Sequence, residues 1–187
     1  MRYVFVYGLL SGLVIMAVLI AGLTLVPHGE GGFLHTVWFG YLVMLVALTF
    51  VFVAVKRYRD VERGGVIRFG RALLIGLATS GVAALAYVVI WEIYLAATDY
   101  AFMGEYVEAM LRQSEASGVT GSALAAQRAE WEALTVQYNS NPLVRVMFTF
   151  IEIAPAGLLV SLVSAALLRN PKFLPARMRD VDTTILT

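Results

Sequence analysis

The sequence predicts an all-α fold: an integral membrane four-helix bundle with an amphipathic extracytoplasmic helical hairpin between spans three and four. Three observations predict it. The 187-residue chain is 60% apolar and only 14% charged, against roughly 45–50% and about 25% in soluble domains, and its mean hydropathy is +0.79. Four apolar stretches reach the roughly 20 residues that a hydrocarbon core of about 30 Å requires. The basic residues are also sorted unequally between the two sides that four spans define.

The first span, about residues 3–26, ends at Pro27. Its apolar run exceeds the roughly 7–15 residues of a signal-peptide core, so it reads as a retained anchor. The second, about 33–55, stops at Lys56, and the short His28-Gly-Glu-Gly-Gly loop makes the first two spans antiparallel neighbours. The third covers about 69–97. The fourth, about 143–168, is entered through Asn141-Pro142, where Asn can cap orphan amides and proline is tolerated in the first turn. The chain reads as a single membrane domain over 1–187, with a cytoplasmic tail at 169–187 that is polar and mobile from Pro171 to Thr187.

Four spans put both termini on one side. That side carries Arg2, the segment with Lys56, Arg57, Arg59, Arg63, Arg68 and Arg71, and the tail with Arg169, Lys172, Arg177 and Arg179; Arg112, Arg128 and Arg145 are assigned to the other. By the positive-inside rule the basic side is cytoplasmic. The basic segment is a candidate surface for anionic lipid headgroups through Lys56, Arg57, Arg59, Arg63, Arg68 and Arg71. The absence of cysteine removes disulfides and thiolate chemistry, and a net charge of +1 gives no reason to expect nucleic acid.

Segment 98–141 is the one sizeable part outside the spans. Met103, Tyr106, Val107, Met110 and Leu111 recur at helical spacing, then Leu124, Trp131, Leu134 and Tyr138, with a break at Ser117-Gly118 and Gly121-Ser122. This predicts two helices of roughly 15 residues in a hairpin. Small residues four apart, Gly8/Gly12, Ala17/Ala21, Gly76/Ser80 and Gly157/Ser161, predict close helix packing, within the chain or in a homo-oligomer.

Two carboxylates are read as the only charged residues within the span interiors, away from their ends. Glu152 lies roughly 13–14 Å below the outer start of span four, and Glu92, in Trp91-Glu92-Ile93-Tyr94, roughly 8 Å below the outer end of span three, at about 1.5 Å per residue. Such groups are costly in lipid and are default candidates for function. Pro155 removes the donor to the Ile151 carbonyl beside Glu152, and Thr149 adds a hydroxyl one turn above. The candidate polar or ion site is therefore Glu152, Glu92, Thr149, Pro155, Trp91 and Tyr94. Three readings stand together. Glu152 is a helix-bridging acid, with Tyr87, Tyr94, Trp91 or Ser80 as partners. Alternatively, Glu92 and Glu152 share a proton or cation. Or both join His28 and His35 around a metal, a weak candidate because neither HExxH nor another paired-His spacing occurs. No cofactor is expected, and no G-x-S-x-G nucleophile motif occurs.

Several stretches carry a resemblance: Lys56-Arg-Tyr-Arg-Asp60, Gly65 and Phe69 leading to Gly76, Trp91 to Tyr94, and Asn141-Pro142, Thr149, Glu152, Pro155, Gly157 and Ser161. In these the chain resembles an uncharacterised bacterial four-span membrane family catalogued as domain of unknown function 4199. The resemblance implies a bacterial inner membrane and supplies no activity. The expected function is a non-enzymatic accessory or interaction subunit, touching membrane lipid and engaging a membrane-protein partner or a second copy through the outer hairpin. The alternatives are a proton- or cation-coupled carrier or channel using Glu92 and Glu152, and a lipid-acting membrane enzyme.

Overall fold

A computed structural model describes residues 1–25 and 37–176; His28, Glu30, His35, Arg177 and Arg179 lie outside the described residues. The described chain forms helices α1 (Arg2–Leu25), α2 (Val37–Ala47), α3 (Thr49–Arg57), α4 (Phe69–Ala97), α5 (Phe102–Ala116), α6 (Gly121–Ser140) and α7 (Pro142–Leu168), with no strand among the described residues. Four helical stretches are long and apolar enough to cross a membrane: Arg2–Leu25, Trp38–Glu62, Phe69–Ala97 and Pro142–Leu168. The protein is a multi-pass, all-α membrane bundle.

The small-residue spacings set its packing. α4 lies between α1 and α7. A Cβ on Gly8 would stand 2.7 Å from Val82 Cβ, and one on Gly12 2.7 Å from the Ala83 carbonyl oxygen, so α1 meets α4 almost backbone to backbone. On the other face the small residues are reciprocal: Gly76 faces Ser161 and Gly157 faces Ser80, with a Cβ on either glycine 3.0 Å from the facing Ser Cβ. The approach lets Ser80 Oγ donate to the Gly157 carbonyl at 3.3 Å and meet Ser161 Oγ at 3.2 Å. Ala17 is exposed and takes no part in such a seam.

The second span is interrupted at Leu48. There the Val51 N–H bonds the Leu48 carbonyl, which takes the donor that the Ala47 carbonyl would have in a regular helix. Ser11 Oγ, fully buried on α1, supplies it at 3.0 Å. The same span continues past Lys56 as a π-helical turn, Tyr58–Glu62, where the sequence predicts a stop. Two local bonds account for the extension: Lys56 Nζ donates to Asp60 Oδ2 at 2.5 Å, and the Arg59 Nε to Asp60 Oδ1 at 2.7 Å.

Arg59 is fully buried. Its Nη1 donates to the Phe173 carbonyl at 2.9 Å and its Nη2 to the Leu174 carbonyl. Phe173 itself packs edge-on against Phe52. Two expectations are corrected here. The chain just after α7 is docked rather than mobile, and Arg59 is enclosed by protein acceptors, so it is unavailable to lipid headgroups. Glycines open the other turns: Gly118 (φ 92) and Gly121 (φ 64) separate α5 from α6.

Candidate functional site

The hairpin end of the bundle is built around Arg145. Asn141 Oδ1 accepts the Leu143 N–H at 3.0 Å and Pro142 occupies the first turn, so α7 starts early enough to hold Arg145 as its fourth residue. By sequence, Arg145 is counted with the basic residues outside the membrane although position 145 falls within the predicted fourth span; the structure buries it there, as a charged residue of the span. It is a buried side chain, 4% exposed. Apolar surroundings demand a partner for such a charge, and Glu92 on α4 provides one. Arg145 Nε lies 2.9 Å from Glu92 Oε1, and Nη2 lies 2.9 Å from Oε2, the two-pronged arrangement in which arginine binds carboxylate best.

The remaining edge of the guanidinium turns outward. Its Nη1 donates to the Tyr138 and Asn139 carbonyls at 3.1 and 3.0 Å. Those oxygens belong to the last turn of α6, where carbonyls lack intrahelical donors and the helix end favours a cation. Tyr100 lays its ring 4.7 Å from the guanidinium carbon, a stacking contact that adds to the charge pair. To reach it, Asp99 and Tyr100 adopt left-handed φ values of 50° and 56°, a conformation that costs a bulky residue about 1–3 kcal/mol. Trp91 Nε1 donates to Tyr138 Oη at 3.0 Å, and Phe102 at the start of α5 meets the Trp91 ring edge-on at 4.8 Å. Burial pushes the Tyr138 phenol above its ordinary value, and the Trp91 N–H only partly offsets this.

One cluster of Glu92, Arg145, Tyr138, Trp91 and Tyr100 therefore ties both ends of the hairpin to α4 and α7. Beyond this root, α5 and α6 face each other through Val107 and Leu111 and are otherwise largely exposed. They run about 22 and 30 Å at 1.5 Å per residue over their 15 and 20 residues.

Glu152 has different company. Tyr87 Oη donates to its Oε2 at 3.3 Å, and no ion pair with Glu152 occurs among the described residues. Of the partners the sequence offers, Tyr87 is the one used. The residue lies on the flank of the bundle, partly exposed, with its carboxylate turned to the buried Tyr87 of α4. The structure does not join the two carboxylates: Glu92 is bonded to Arg145 and Glu152 to Tyr87. Thr149 is buried but donates back to the Arg145 carbonyl at 2.9 Å. Trp91 belongs to the hairpin root, where Tyr94 stacks on it at 5.3 Å. α7 runs unbroken through Pro155, whose flank helps line an open groove of about 500 Å³ against α4. No group of three or more His, Cys, Asp or Glu able to hold a metal occurs among the described residues; His28 and His35 lie outside them.

Arg145, Tyr138 and Tyr100 are missing from the sequence-derived site. A depth comparison reveals the first: two residues into span four is roughly 3 Å below its start, about 5 Å from the level of Glu92 and within reach of a long arginine side chain. No curated protein and no solved structure matches the chain. A family described as Protein of unknown function (DUF4199) matches residues 6–170, from the first turns of α1 to just beyond α7. Since that stretch takes in most of the first span, the other three spans, the α5–α6 hairpin and every residue of the cluster at its root, the chain belongs to this family.

Proposed function

We propose that the protein is a non-enzymatic accessory subunit of the bacterial inner membrane, with both termini cytoplasmic. It presents the α5–α6 hairpin to a protein partner on the outer side. One observation carries this reading: the hairpin is largely uncovered, yet its base is locked by the buried Arg145–Glu92 pair. A connector between neighbouring helices of a bundle needs only about 2–8 residues; a long projecting element with a fixed base suits recognition. Between Phe102 and Ser140 the hairpin carries five glutamates against two arginines, which suits a partner with a basic docking face.

A photoreactive residue at Val136, an exposed position of α6, tests this in cells. The expected result is a discrete protein adduct that fades when Glu130 and Glu132 are replaced by lysine and persists when Leu85, exposed on α4, is replaced by alanine. Absence of an adduct from Val136 and from further exposed hairpin positions overturns the reading.

The carrier reading is favoured by a different observation, the outward-facing Glu152 with its single hydrogen bond from Tyr87. With Glu92 engaged by Arg145, that reading rests on Glu152 and requires a second copy or another membrane protein to enclose it. Proton or cation flux in reconstituted vesicles that Glu152→Gln abolishes is its signature.

A further inference from the structure

The basic end of the bundle holds two guanidinium groups that no carboxylate among the described residues neutralises. Arg63 follows the π-helical turn and Arg71 lies in the first turn of α4; both are exposed. Both aim the same edge at one atom, Tyr58 Oη. Arg63 Nε and Nη2 each lie 3.3 Å from it, and Arg71 Nε and Nη2 lie 3.2 and 3.1 Å from it. A hydroxyl oxygen has two lone pairs, so four N–H donors compete for it. All four distances exceed the usual ~2.9–3.0 Å. This edge of arginine is the one that grips carboxylate or phosphate through two bonds, and here it faces a neutral oxygen.

The local acids are committed elsewhere. Segment 56–71 holds only Asp60 and Glu62. Asp60 takes Lys56 and Arg59, and Glu62 lies 3.9 Å from the chain's amino terminus. Tyr58 is 5% exposed, and its own hydroxyl hydrogen has no acceptor among the described residues. Two like charges and a spare O–H donor thus converge at the end of the spans, where lipid phosphates lie. Of the other basic residues in the segment, Arg59 is enclosed and Lys56 is paired, while Arg57 and Arg68 do not join this convergence.

We propose that Arg63, Arg71 and Tyr58 form a binding site for one phosphate group, with the phosphodiester of an anionic phospholipid headgroup as the source that the position favours. The phosphate oxygens bridge the two guanidinium groups and accept the Tyr58 hydroxyl hydrogen. The chemistry is shared by free phosphate, and the test separates the two sources.

Thermal unfolding of the detergent-purified full chain is followed while phosphatidylglycerol, phosphatidylcholine or inorganic phosphate is added. Phosphatidylglycerol is expected to raise Tm saturably, with phosphatidylcholine and inorganic phosphate weaker. The apparent affinity should fall about ten-fold in Arg63→Gln/Arg71→Gln, as loss of two charge-assisted contacts implies. It should hold in Arg57→Gln/Arg68→Gln, which removes the same charge. Tyr58→Phe keeps every charge and should weaken binding by about three-fold. If inorganic phosphate reproduces the full shift with the same variant pattern, the site stands and its ligand is soluble. Equal losses in the two double variants, or no saturable shift with either ligand, overturn the proposal. If Arg63→Gln/Arg71→Gln fails to fold, Tyr58→Phe decides, and wild-type affinity in that variant overturns it.

Discussion

Arg145 is held by a carboxylate, two backbone carbonyls and an aromatic face at once, so its removal affects three elements. Arg145→Gln leaves Glu92 as a mostly enclosed charge without its counter-ion, which costs about 3–5 kcal/mol in comparable buried pairs. We expect a loss of that order in chemical unfolding of the purified protein, and partial recovery in Arg145→Gln/Glu92→Gln, where neither charge is stranded. Tyr138 gives a second expectation, in pH. Its phenol is raised by burial, so above the ordinary phenol value of about 10 the unfolded chain releases this proton while the folded chain keeps it. The unfolded state then binds fewer protons, and stability falls as pH rises. Tyr138→Phe should show a shallower decline above about pH 10, read from melting curves. Glu92 and Glu152 are conspicuous in the sequence because lipid makes any carboxylate conspicuous. Their partners are less so: Arg145 sits near enough to the boundary to pass for an outer residue, and Tyr87 and Tyr138 are two tyrosines among nine.

The helices themselves are legible because length and hydropathy in a bilayer leave few options. Which face of each helix turns inward is less legible. Leu9, Leu13 and Val18 are exposed on α1 while Ile15 and Met16 are buried, and all five are apolar, so periodicity carries no direction. Glycine does: a side chain at Gly8 or Gly12 would collide with the neighbouring helix, and one at Gly76 or Gly157 would press tightly on the facing serine. Gly12→Leu should destabilise by roughly 1–3 kcal/mol or more, the usual range for overpacking. Gly81→Ala, at a helical glycine with open space around its missing Cβ, should stabilise by up to about 1 kcal/mol. The paired melting temperatures check both. The interruption at Leu48 left no such mark, since it depends on Ser11 from another span reaching the Ala47 carbonyl. The hairpin turn was readable from Gly118 and Gly121, which take the left-handed conformations that most other residues avoid.

At the scale of the whole molecule, two buried arginines close the bundle at opposite ends: Arg145 at the hairpin root and Arg59 at the segment after α7. A chain ending at Asn170 removes both carbonyl acceptors of Arg59 and leaves its ion pair with Asp60; relative to one ending at Ala176, which keeps them, it should lose roughly 2–4 kcal/mol, on the scale of two lost hydrogen bonds to a buried charged group. Denaturant titration of the two chains measures this. The docking of Phe173 and Leu174 escapes the sequence because their role is played by backbone carbonyls, which every residue possesses. A ribosome makes the protein from its amino end, so Arg59 and Glu92 enter the membrane well before Phe173, Leu174 and Arg145 have been synthesised. Until the last span is inserted, Glu92 waits without its counter-ion, and Arg59, already paired with Asp60, waits without its two carbonyl acceptors. Release of α7 and the residues after it supplies both sets of partners nearly together, so a product that terminates before α7 keeps a carboxylate on α4 without its counter-ion and a guanidinium beside Asp60 without its two carbonyl acceptors.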